Sequence, residues 1–131
     1  LTELDVSNNA PYINSDSIGF AKELAVGLGA NGALTSVNIL SNNIGAEQSN
    51  KLIAIMASKP NLKTLCGFSG DETELDLSNK GLSTGCGVLV ANEVKNNGAL
   101  TSLNVSNNNL TNYGNNMSGV KAFAAAIPEC K

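Results

Sequence analysis

Short runs in which apolar and polar residues alternate recur along the chain, each opening on a leucine and closing, with one exception, on an asparagine. The runs are Leu1, Leu4, Val6, Asn9; Leu34, Val37, Ile39, Asn42; Leu75, Leu77 with Lys80 in the asparagine place; and Leu100, Leu103, Val105, Asn108. A period of two predicts a short strand. In the second run Val37 and Ile39 face the core and Asn38 and Leu40 face solvent, with Leu34 and Ile44 packed above and below. Between runs the apolar spacing becomes helical: Ile18, Ala21, Leu24, Ala25, Leu28; then Leu52, Ile55, Met56; then Val88, Leu89, Ala91, Val94; then Val120, Phe123, Ala124, Ile127. Asn31-Gly32, Lys59-Pro60 and Asn97-Gly98 supply the stop signals of three of these helices.

The asparagines have a structural reading of their own. Asn9, Asn42 and Asn108 stand where the chain turns away from the strand and backbone groups lose their ladder partners. An amide that both donates and accepts can bond the backbone of the neighbouring turn, and the copies can bond each other. The segment Gly32 to Ser36 (GALTS) recurs at Gly98 to Ser102, 66 residues on, which points to duplication of a unit.

On these residues the chain resembles a leucine-rich repeat protein of the ribonuclease-inhibitor-like subclass, over essentially its whole length; LTSLNVSNNNL, from Leu100 to Leu110, carries the likeness most strongly. The resemblance implies an α/β right-handed solenoid, a horseshoe arc of about four repeats, with short parallel strands on the concave face and helices on the convex face. It also implies a single domain with units near 1–33, 34–71, 72–99 and 100–131. Leu75 to Leu103 advances by 28 residues, the subclass spacing; Leu4 to Val37 takes 33, with Ala10 to Asn14 as an excursion, and Val37 to Leu75 takes 38. The last excess falls near 59–72. Residues 66–72 there are expected to form a loop or short hairpin; a truncated unit that has lost its helix is the alternative, since Asn61 to Leu65 (NLKTL) reads as a repeat opening.

The resemblance further implies a ligand surface on the concave strands, where the outward positions are Glu3, Asp5, Ser7 and Asn8; Ser36, Asn38, Leu40 and Ser41; Glu74, Asp76, Ser78 and Asn79; Ser102, Asn104, Ser106 and Asn107. Leu40 is the only large apolar member, and Trp, Tyr and Arg anchors are missing. A solvated face with contacts made elsewhere is therefore the competing expectation. Tyr12 and Tyr113 follow the strand-end turns of their units and offer an aromatic rim; alternatively their rings cover the ends of the core.

Composition narrows the chemistry. A net charge of −3 with eight basic residues argues against nucleic acid, and no run approaches the roughly 20 apolar residues of a membrane span. There is no histidine, so a cysteine or serine nucleophile lacks its usual base; no catalytic set, cofactor or metal is expected. Cys66, Cys86 and Cys130 form no disulfide framework. They read as buried or half-buried thiols in a reducing compartment, intracellular and cytoplasmic, with a Cys66–Cys86 bridge as the alternative. Asp71, Glu72, Glu74 and Asp76 read as a solvated acidic edge before a cation site. Gly81, Gly85 and Gly87 fit no phosphate-loop spacing and read as turn formers. Asn104, Asn109 and Asn116 open N-x-[ST] triplets, which chance supplies in so Asn-rich a chain.

Leu1 opens directly on a strand position and Cys130-Lys131 follows a helix, so the array is expected to be a stretch of a longer chain or to have its ends covered by a partner. Two functions follow from the surface and the ends: a non-catalytic module binding a protein partner, or a structural subunit of a larger assembly held through its ends and helices.

Overall fold

The computed structural model describes residues 1–9 and 15–130, with 15–18 described by backbone alone; the excursion at 10–14, and Tyr12 within it, lies outside the described residues. Strands and helices alternate: β1 Glu3–Asp5, α1 Ser15–Ala30, β2 Ser36–Asn38, α2 Ala46–Ser58, β3 Glu74–Asp76, α3 Thr84–Val94, β4 Ser102–Asn104 and α4 Ser118–Ala126, followed by a 3-10 turn Ile127–Glu129. Each strand is only three residues long, because that is all the chain spends between one helix and the turn that leads to the next. The strands form two parallel pairs, β1 with β2 and β3 with β4, and each helix packs on the next in sequence.

The core lies between strands and helices. Val37 and Ile39 are fully buried beneath β2, with Leu34, Ile44, Leu52, Leu82 and Leu89 around them. Each such aliphatic side chain taken from water contributes about 2 kcal/mol. The expected helix stripes are largely inward: Ala21 and Leu28 on α1, Leu52 on α2, and Val88, Leu89, Ala91 and Val94 on α3 are buried.

On α4 the expectation fails. Val120 and Ile127 are 44% and 70% exposed and Ala124 is exposed, while Gly119 and Ala126 are buried and Phe123 is half-buried. Gly119 faces α3 so closely that a Cβ there would lie 3.1 Å from the Thr84 carbonyl oxygen, and the Phe123 ring lies over Gly87, where a Cβ would meet it at 3.6 Å. Gly85 and Gly87 are not turn formers either. Both lie inside α3, and Gly85 sits where a Cβ would meet the carbonyl oxygens of Ile44 and Gly45 at 2.2 and 2.6 Å. Gly81 alone of the three has a turn conformation, at φ +65°.

The two strand pairs are copies of one construction. Val6 N–H bonds Asn38 O at 3.0 Å and Leu77 N–H bonds Asn104 O at 2.7 Å; Asn8 and Asn79 N–H reach Leu40 and Ser106 O, both at 3.1 Å; Thr35 and Thr101 N–H reach Thr2 and Thr73 O, both at 2.8 Å. Behind this lies a second sequence repeat: Thr2 to Asn8 reads TELDVSN and Thr73 to Asn79 reads TELDLSN. The chain is thus two β-α-β-α halves joined by residues 59–72.

Residues 68–72 form the expected loop, but the joining segment begins as something more regular. Lys63 N–H bonds Thr35 O at 2.8 Å, Val37 and Ile39 N–H bond Thr64 and Leu65 O at 3.0 Å each, and Gly67 N–H bonds Val37 O at 3.1 Å. Residues 63–67 therefore lie along β2 as a further strand-like rung, and Leu62 and Leu65 are buried as the repeat opening requires. No helix follows this rung: the chain passes through 68–73 directly into β3. Among the described residues no ladder joins residues 63–67 to β3, so the rung stands between two separate strand pairs.

Candidate functional site

The outward face of the strands is built from one repeated device. Asp5, Asn38, Asp76 and Asn104 each end a strand, and in each a side-chain oxygen accepts the N–H two residues on: Ser7 at 2.9 Å, Leu40 at 3.1 Å, Ser78 at 3.0 Å and Ser106 at 3.0 Å. Such an Asx turn tightens the chain just before a left-handed residue, and Asn8, Ser41, Asn79 and Asn107 follow at φ +58°, +60°, +55° and +54°. Asparagine tolerates that conformation better than most residues. Ser41, the exception, donates its hydroxyl to Lys80 O across the junction.

These turns leave the column polar and open. Glu3, Asp5, Glu74, Asp76, Asn104 and Ser106 are exposed and Asn38 is half-buried, with Asn38 Nδ2 3.4 Å from Asp5 Oδ2. The Ser7 hydroxyl and then the Ser7 N–H hold the Asp5 carboxyl below its usual range, and Ser78 does the same for Asp76. Both stay ionised. The face therefore carries equivalent carboxylate pairs, Glu3 with Asp5 and Glu74 with Asp76, one in each half.

Leu40 does not belong to this face. It is 6% exposed and packs in the core, because β2 pairing ends at Asn38 and the backbone is already turning at residue 40, where strand alternation no longer sets the side chain's direction. Tyr113 is 85% exposed, so its ring does not cover the core; Tyr12 lies outside the described residues.

Asparagine 42 and its counterpart 108 tie each pair together beneath the face. Asn42 Oδ1 accepts Asn9 N–H at 2.8 Å, and its Nδ2 donates to Val6 O at 3.1 Å and Ile39 O at 2.8 Å. Asn108 Oδ1 accepts Lys80 and Leu82 N–H at 3.1 and 3.0 Å, and its Nδ2 donates to Leu77 and Val105 O at 2.8 and 2.9 Å. Asn9 bonds within its own turn, to Val6 O at 2.9 Å.

Across the halves a different set of groups does this work. With Lys80 in the asparagine place, the Ser83 hydroxyl lies 3.0 Å from Ile44 O, Cys86 S–H reaches Asn42 O at 3.2 Å, Gly85 N–H bonds Ile44 O at 3.0 Å, and the Ser49 hydroxyl bonds Gly85 O at 2.8 Å. Glu93 of α3 holds the rung: one carboxylate oxygen takes the Thr64 hydroxyl and the other takes Leu65 N–H at 2.9 Å. The Thr64 oxygen in turn accepts Cys66 and Phe68 N–H at 3.0 and 3.1 Å. Burial pushes the Glu93 carboxyl up, only partly countered by these donors, and burial with the nearby Glu93 charge pushes the Cys66 thiol well up.

Cys66 and Cys86 are free and buried; Cys130 is exposed, against expectation, because it follows the outer end of α4. In the joining loop Glu72 caps Ser69 and Gly70 N–H, both at 2.9 Å, and the Ser69 hydroxyl meets Asp71 at 2.5 Å. Burial raises the Glu72 pKa, but its own N–H and then those of Ser69 and Gly70 outweigh it and leave it lowered. Among the described residues no group of three or more Cys, Asp and Glu is placed to hold a metal ion, and no helix is long and apolar enough to cross a membrane. A cleft of about 150 Å³ opens beside the rung, lined by Met56, Lys63, Phe68, Glu72 and Glu93 among others.

The repeat pattern does not single out Glu93. Its signal was present, since Cys86, Leu89 and Glu93 share one face of α3 and the first two are fully buried. No protein-family model matches the chain, and no curated protein matches it.

Proposed function

We propose that the chain is a leucine-rich repeat array of the ribonuclease-inhibitor-like type that works as a non-catalytic protein-binding module, with the outward strand face as its contact surface. The observation that carries this reading is the equivalent, exposed placement of Glu3 with Asp5 and Glu74 with Asp76 on two strand pairs of the same construction. Asp5 and Asp76 are engaged in their turns, whereas no hydrogen bond of the Glu3 or Glu74 side chain occurs among the described residues. Glu3 and Glu74 are therefore the contact residues, along with Ser106. The partner is a protein; the charge balance does not suit nucleic acid, and the two buried free thiols suit a reducing, intracellular compartment.

A second reading has its own observation. Met117, Val120 and Ile127 are exposed along α4 at 41%, 44% and 70%, which suits a structural subunit held through its helices. Capture of partners from the native extract by the wild-type protein, by Glu3→Lys with Glu74→Lys, and by Val120→Asp with Ile127→Asp separates the two. Loss of a stoichiometric partner with the first pair alone supports the strand face. Loss with the second pair alone supports assembly through α4 and overturns the first reading.

A further inference from the structure

Two asparagine–glycine pairs close the helices that precede β2 and β4, and they are set in the same turn. Asn31 Oδ1 accepts Ala33 and Leu34 N–H, each at 2.8 Å; Asn97 Oδ1 accepts Ala99 and Leu100 N–H at 2.9 and 3.1 Å. Glycine follows in both cases, with nothing within 4 Å of where a Cβ would stand, and neither glycine N–H is hydrogen-bonded among the described residues. They differ on the other side of the amide. Asn97 is 8% exposed and its Nδ2 donates to Glu72 O, in the joining segment, at 3.0 Å. Asn31 is half-buried, and its Nδ2 makes no hydrogen bond among the described residues.

We infer that Asn31 is a site of spontaneous deamidation in the folded protein and that its counterpart Asn97 is protected. The Gly32 nitrogen, losing its proton, attacks Asn31 Cγ; the new N–Cγ bond closes a five-membered ring, the Cγ–Nδ2 bond breaks, and the proton leaves with ammonia. Water then opens the succinimide at either carbonyl to give an aspartyl or an isoaspartyl linkage at position 31. As Cγ becomes tetrahedral, negative charge develops on Oδ1, where two backbone N–H groups already point. Glycine offers no side chain to block the approach and adapts its backbone freely. At Asn97 the same donors are present, but the leaving amide is held by Glu72 O and screened from water.

The products differ in effect. An aspartyl side chain keeps an oxygen for Ala33 and Leu34 N–H, so the turn survives. An isoaspartyl linkage lengthens the main chain by one carbon just before Leu34, which is buried, and before Thr35, whose N–H and hydroxyl both bond Thr2 O. The modification thus loosens the entry to the first strand pair and leaves the second intact.

The test incubates the wild-type protein at mildly alkaline pH, once folded and once in denaturant, and follows the peptides holding residues 31 and 97 by mass spectrometry. In the folded protein the Asn31 peptide is expected to gain about one dalton about tenfold faster than the Asn97 peptide, the effect of one retained hydrogen bond with burial. In denaturant the two rates converge, since both read Asn-Gly-Ala-Leu. A folded-state ratio no larger than the denatured one, or a faster Asn97, overturns the inference.

Discussion

Within each half of this protein two strands are joined through an asparagine, whereas between the halves the joint is made by two serines, a cysteine, a glycine and a half-buried glutamate. Asn42 and Asn108 each satisfy several backbone groups of the neighbouring turn with one amide. One small side chain suffices because the adjacent strands run in register and the turns lie directly side by side. At residues 41–44 and 80–86 the turns also meet, but the rung at 63–67 has been inserted on the strand side, so the regular relation is lost and Lys80 is exposed. The lesson concerns how a repeated fold tolerates an irregular unit. The backbone groups still have to be satisfied, and the residues that do so come from α2, from α3 and from its N-cap instead of from a single turn asparagine.

The largest effect is expected from closing the space at the irregular joint. Gly85→Ala sets a Cβ against two main-chain oxygens and should cost about 3 kcal/mol in chemical denaturation, near the top of the range for overpacking. Next come the asparagines. Asn42→Ala, at a fully buried position, strands the Asn9 N–H and the Ile39 carbonyl, while Val6 O keeps the Asn9 amide, and should cost about 2–3 kcal/mol; Asn108→Ala, which is partly exposed, should cost roughly half as much. Equal losses would mean that burial does not distinguish the two joints.

Much of this contrast could be read from the residues themselves. The leucine and valine spacing predicts four strands and four helices, because the core must be apolar at those positions whatever the partner of each strand. Asn42 and Asn108 are legible for the same reason, as turn residues that must bond backbone. Leu40 and the α4 stripe were not legible: strand alternation says nothing once the turn begins, and helical spacing does not reveal that Gly119 allows a close approach on another face. The rung at 63–67 was ambiguous because a strand without its helix leaves only Leu62 and Leu65 as its mark.

Smaller effects concern charge. The folded Glu93 carboxyl titrates above its unfolded value, so its favourable contribution is fully present below the unfolded pKa and is lost as pH rises through the folded one. Asp5, Asp76 and Glu72 are lowered and act oppositely, contributing above their unfolded pKa and losing that contribution as pH falls through their folded values. Glu93→Gln should change stability at neutral pH by no more than about 1 kcal/mol, since relief of a half-buried charge offsets a weaker bond to Leu65. It should remove the decline toward neutral pH, which melting curves between mildly acidic and neutral pH would show. The smallest change is expected from Asp5→Asn, within about 0.5 kcal/mol, because Asn38 already makes the same turn.

The most direct test is residue-resolved amide hydrogen exchange of the native protein. The Lys63, Leu65 and Gly67 amides, bonded to Thr35, Glu93 and Val37, should be protected to an extent comparable with Val6 and Leu77 inside the two strand pairs. If these three amides exchange as fast as those of exposed loops, residues 63–67 are not a rung, and the distinction between the two kinds of joint fails.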